Sequence, residues 1–167
     1  SLKQAIRKFA ADPHCEIRID TAFAHVIDAC SGIARDGQDG TWIVQDIKNA
    51  YLQLHQDGYA HSIEVWQHGA LVSGLYCVAI GKAVFGESMF TTVSNGSKIA
   101  LAALVQLCAR QGVTMIDCQQ NTGHLAFMDA AEVPRSQFLE AVRNNTMQAA
   151  LHWEFAHTDW ADIIPLS

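Results

Sequence analysis

Charge is scarce in this sequence. Asp, Glu, Lys and Arg make up 17% of it against 50% hydrophobic residues, a balance that excludes intrinsic disorder. Lysine and arginine number 11 against 17 acids, for a net charge of −6. That is too few cations for a sequence-blind nucleic-acid coat, which rests on phosphate neutralisation, although contact with one short nucleic-acid end stays open. Three Pro and 11 Gly exclude collagen-like and linker-rich chains. No hydrophobic run approaches the ~18 residues of a membrane span. The opening SLKQAIRKFA is amphipathic and lacks the apolar stretch of a secretory signal. The five cysteines (15, 30, 77, 108 and 118) contain no CxxC pair, and most lie in apolar runs. They read as small buried hydrophobes in a reducing compartment. The eight histidines, such as His61 and His68, match no metal spacing, so no metal site is expected. A cytoplasmic chain with no membrane partner is expected. A start at Ser1 without Met suggests a trimmed product.

What remains is one domain's worth of chain, residues 1–167. Leu2, Ile6 and Phe9 share one face of a short helix that Asp12-Pro13 ends. Residues 15–19 (CEIRI) alternate as a strand, with Ile17 and Ile19 inward. Asp20 or Thr21 caps a helix carrying Phe23, Val26, Ile27 and Cys30, and a polar loop fills 35–40. A helix over 45–56 stops at Gly58. The strands 61–67 and 70–80 flank a His68-Gly69 turn, and 83–90 follows. Asn95-Gly96 opens an apolar, central helix that ends at Gly112. A strand over 113–119, a helix after Pro134 and a last strand over 152–157 complete the chain. Sequential strands followed by a helical crossover predict an α/β (α+β) fold, a mixed sheet flanked by helices. That is the order of GNAT-like acyltransferases.

Five constellations bear on chemistry, each with an ordinary structural alternative. Asp117 and Gln119 share one face at the end of a strand, where a carboxylate can orient an amide and enrich its oxygen; strand-end residues also satisfy loop amides. Glu87 sits between apolar neighbours in GESMF and needs a partner, either a substrate ammonium or solvent. Trp42, at a loop end, can stack a base or pack in the core. Residues 94–98 (SNGSK) open a helix whose N–H groups attract anions or are simply capped. Cys118 with His124 hints weakly at a thiol nucleophile.

Read together, GTWIVQDIKNAYLQLHQDGYAHSIEVW (40–66), VFGESMF (84–90), SNGSKIAL (94–101), MIDCQ (115–119), His124-Leu125 and EVPR (132–135) resemble one family, the bacterial leucyl/phenylalanyl-tRNA–protein transferases. The resemblance runs from about residue 1 to 143. It implies transfer of Leu or Phe, and also Met, from aminoacyl-tRNA to a protein with N-terminal Arg or Lys, an N-degron mark for degradation. It implies no cofactor and a monomer. It places Asp117 and Gln119 at the catalytic pair, and Trp42 and Tyr51 at the terminal adenosine. Leu75, Val84, Gly86, Glu87, Met89, Leu101, Leu104 and Ile116 fall in the amino-acid pocket, and Glu87 and Thr122 on the acceptor-peptide side. The family's N-terminal segment, with glycine-rich and Trp/Pro-rich motifs, has no counterpart here. Residues 127–129 replace its usual Ser-Leu-Gly run. On a regular strand Ile116 points opposite Asp117 and Gln119.

An aminoacyl ester is already activated, and an α-amine with a pKa near ~7.7–8.0 is partly neutral at pH 7, so positioning suffices without a strong base. Two other readings stand beside this one. An acyl-CoA-dependent GNAT N-acyltransferase would place phosphates near Gly96 and Lys98. A binding module would hold protein N-termini without transfer.

Overall fold

The computed structural model describes residues 1–32, 41–113, 115–118 and 134–164, without the side chains of 41–43. Helix α1 (Leu2–Ala11) leads to β1 (Cys15–Ile19), and α2 (Phe23–Gly32) and α3 (Thr41–Gln56) follow. Then come β2 (Ala60–Gln67), β3 (Ala70–Ile80), β4 (Ala83–Thr91), α4 (Gly96–Arg110) and β5 (Ile116–Cys118). Helix α5 (Arg135–Thr146) and a 3-10 helix (His157–Asp162) close the chain. The sheet order is β1-β2-β3-β4-β5. The first three pairings are antiparallel and β4–β5 is parallel, the mixed sheet expected from the element order.

Alternation along β3 divides the interior. Leu75, Cys77 and Ala79 join the main core with α1 and α4, whereas Tyr76 and Val78 face α2 and α3. Helix α4 is apolar nearly all round because the sheet covers one side and the chain's end the other. Trp160, 2% exposed, packs edge-on against Phe9 and Phe155. The buried Gln106 donates to Asp162 at 2.7 Å. His68 and Gly69 both have positive φ (52° and 76°), which matches the right-handed twist of the β2–β3 hairpin.

Three sequence expectations are corrected. Neither Asp20 nor Thr21 caps α2. Asp20 instead accepts from the Ser62 amide (2.9 Å) and pairs with His61 (2.7 Å). The turn that enters α2 is held by Glu64 of β2, fully buried, whose carboxylate accepts from the Thr21 amide (3.1 Å), the Ala22 amide (2.9 Å) and the Thr21 hydroxyl. Residues 152–157 form no strand. The Gln111 side chain occupies the place of a neighbouring peptide, donating to the His152 carbonyl (2.8 Å) and accepting from its amide (2.7 Å). The expected strand over 113–119 is a strand only at Ile116–Cys118 among the described residues.

Gly96, in the first turn of α4, lies hard against the sheet. A Cβ there would stand 2.5 Å from Thr91 Oγ1 and 2.7 Å from Ser73 Cβ. Gly96→Ala is therefore expected to cost about 1–3 kcal/mol of stability. Thermal unfolding reads this as a midpoint lowered by roughly 2–4 °C per kcal/mol, and an unchanged midpoint would mean the helix start moves freely.

Candidate active site

Strand β4 carries the centre of the site. Tyr76 lies opposite Ser88 and Cys77 opposite Gly86, so Glu87 has no residue across from it. It is the extra residue of a β-bulge, a device that re-aims a side chain. On its other edge β4 pairs with β5: Val84 with Ile116, Phe85 with Asp117 and Gly86 with Cys118. The described pairing thus stops at the residue before Glu87, which brings the carboxylate of the bulge to the C-terminal end of β5.

Glu87 turns toward α3. The Tyr51 hydroxyl donates to its Oε2 at 2.8 Å, and Tyr51 is its one hydrogen-bond partner among the described residues. Oε1 remains for an incoming donor. Burial, and then the bond to Glu87, push the Tyr51 hydroxyl well above its ordinary pKa, so it stays protonated and donates. Tyr76 packs edge-on against Tyr51 at 5.0 Å. Burial, with lesser contributions from Cys30 and Glu87, pushes its hydroxyl up to about 12. Sequence reading did not single out Tyr76, because only the register places it beside the bulge. Tyr51→Phe is expected to cost about 1–2 kcal/mol by removing a hydrogen bond to a charged acceptor. A urea midpoint shifted at unchanged slope checks this; no shift would give the bond no net weight.

The sheet separates the other residues into two groups. Leu75, Val84, Leu101 and Leu104 are at most 3% exposed and share the main core with Ile116. Met89 lies opposite Leu75 and is 36% exposed. Asp117 faces the other way, like Phe85, and lines a crevice of about 10 Å³ with Met115, Phe138 and Val142. It stands on the same sheet face as Glu87. Gln119 and Thr122 lie outside the described residues, as does the Trp42 side chain, although α3 includes its backbone. The Cys118 thiol is raised by burial first and Asp117 second, the opposite of an activated nucleophile. Among the described residues no group of His, Cys, Asp and Glu is arranged to hold a metal, and no helix is long and apolar enough to cross a membrane.

Residues 1–143 match the family model described as leucyl/phenylalanyl-tRNA protein transferase. The chain is 54% identical over 164 residues to the leucyl/phenylalanyl-tRNA–protein transferase of Albidiferax ferrireducens, covering 98% of this chain and 65% of that protein. The protein of the same name from Polaromonas sp. is 51% identical over 164 residues, covering 98% and 64%. The chain thus spans less than two thirds of these relatives' length. Among solved structures, an aminoglycoside acetyltransferase from an uncultured soil metagenomic sample has a TM-score of 0.46 at 11% identity, covering 87% of this chain and 97% of its own. A ribosomal-protein-alanine N-acetyltransferase from Brucella melitensis biovar Abortus 2308 has 0.46 at 13%, covering 85% and 96%. Likenesses this slight carry no argument.

Proposed function

The chain belongs to the leucyl/phenylalanyl-tRNA protein transferase family, and from that premise we propose that it moves leucine or phenylalanine, and also methionine, from aminoacyl-tRNA to a protein beginning with Arg or Lys, marking it for N-end rule degradation. The observation that carries the reading is the family match over residues 1–143, with the DCQ run starting in β5 beside the Glu87 bulge. The incoming α-amine attacks the ester carbonyl. A C–N bond forms, the bond to the ribose oxygen breaks, and the amine proton ends on that oxygen. Gln119, oriented by Asp117, accepts a hydrogen bond from the amine and holds it at the carbonyl. Glu87, held by Tyr51, presents its free oxygen to the acceptor's cationic end. Trp42 and Tyr51 hold the terminal adenosine, so contact with nucleic acid is confined to one end, in keeping with a net charge of −6. The chain acts in the cytoplasm without a cofactor.

Acyl-CoA as donor has one observation in its favour. Asn95, before α4, makes no side-chain cap bond, and a helix start without a side-chain cap is a place where an anion can sit. The assay offers charged leucyl-tRNA or acetyl-CoA with an Arg-starting peptide to this chain and to the full-length Albidiferax relative. Leucine transfer from the tRNA alone is expected in both; acetyl transfer by this chain would overturn the proposal.

A further inference from the structure

Among the described residues, strand β1 is an edge of the sheet and pairs only with β2. The flanking bonds fix which way its backbone points. The His68 amide donates to the His14 carbonyl (2.8 Å) and the Asp20 amide to the Ser62 carbonyl (3.1 Å), so the even positions bond to β2. The odd positions, Cys15, Ile17 and Ile19, turn their N–H and C=O outward. The Cys15 amide is taken by the Asp12 carbonyl at 3.1 Å. Among the described residues no other backbone bond reaches these outer groups. Edges of this kind are ordinarily blunted by proline, lysine or a bulge. Residues 15–19 contain neither proline nor lysine, and their register with β2 is unbroken.

We propose that the outer edge of β1 pairs antiparallel with β1 of a second copy of this chain, about a two-fold axis at Ile17. The strand is its own complement in that register. Ile17 meets Ile17 and exchanges two backbone bonds, and Cys15 meets Ile19. Glu16 meets Arg18, and Arg18 meets Glu16. Their side chains are 53% and 37% exposed and lie together on one face. The two adjacent registers that keep the same backbone bonding set Glu16 against Glu16, or Arg18 against Arg18. Opposite charges across strands favour a register and like charges oppose it, so the pairing is specified. Beside the strand opens a groove of about 760 Å³ lined by Arg7, Phe9, Asp12, Ile17, Phe155 and Trp160, a mixed polar and apolar surface for the added strand to cover. The interface is isologous and closed, and it joins two sheets into one. This departs from the expected monomer and is independent of the proposed reaction.

Sedimentation velocity over a rising concentration series is the test, with a dimer expected. Ile17→Pro removes an outward N–H that β2 does not use, at an edge position that tolerates proline. It is expected to abolish the dimer with the far-UV spectrum unchanged. Glu16→Arg or Arg18→Glu alone is expected to raise the dimer Kd by about tenfold or more, and the two together to restore it. Arg18 also stacks on Trp66 at 4.2 Å, so a purely structural role would make the double variant no better than Arg18→Glu. A monomer at every concentration overturns the proposal and leaves the edge to another occupant. A dimer indifferent to Ile17→Pro, or one the double change fails to restore, overturns it too.

Discussion

Glu64→Leu is expected to remove about 3–5 kcal/mol of stability, a large part of what a domain has, and to leave the chain largely unfolded at 37 °C. The carboxylate is fully buried and forms no ion pair among the described residues. It is satisfied by donors alone: the Thr21 and Ala22 amides, the Thr21 hydroxyl, the Ser62 hydroxyl at 2.6 Å and the Trp66 indole at 3.0 Å. The two amides lie just before α2, whose positive end favours an anion. Leucine fills the volume and strands every donor. Glu64→Gln keeps one acceptor oxygen but turns an NH2 toward donors, for a smaller loss of about 1–3 kcal/mol. Urea unfolding followed through indole fluorescence ranks the three proteins. A leucine variant as stable as the parent would show that solvent satisfies these donors just as well.

The second large effect is on transfer. Asp117→Asn and Gln119→Ala are each expected to lower the turnover of leucine from charged tRNA by about 10²-fold, with little change in KM for the peptide. If the carboxylate acts only by orienting the amide, the double variant should fall no further than the worse single one, because residues acting as a unit are not additive. The measurement is single-turnover transfer in the full-length Albidiferax background with the matching residues changed. Losses that multiply would assign the two residues separate tasks, and unchanged rates would remove the pair from the reaction.

Much of the fold was legible because local chemistry and tertiary structure agree. Ile6 and Phe9 on one face of α1, the alternation of 15–19 and the positive-φ His68-Gly69 turn state their structure in a few residues. The near-continuous apolar run of α4 announced its position between two layers. The readings that failed depend on partners distant in sequence. Nothing in residues 20–22 shows that their acceptor lies more than 40 positions away, on a strand where Glu64 alternates like a solvent-facing residue. The tail from 152 to 157 alternates as strands do, yet at His152 its backbone bonds go to a glutamine side chain. At the site, Glu87 was legible as a carboxylate in need of a partner, which is Tyr51. The bulge that turns Glu87 toward Tyr51 was not, because a bulge exists only relative to the opposite strand.

The order of the sheet bears on how the molecule assembles. The β2–β3 and β3–β4 pairings are hairpins, whereas β1 meets β2 across α2 and α3, and β5 offers three residues that must wait for α4 to bring them back. Long-range parallel pairing comes at a greater entropic cost than local hairpins and arrives late. The short β5 edge would then close after the hairpins, and amide exchange should find β5 less protected than β2 and β3. On the proposed reaction, a substrate seated at this end would complete the architecture as well as meet the chemistry, making readiness and final consolidation of the fold a single event.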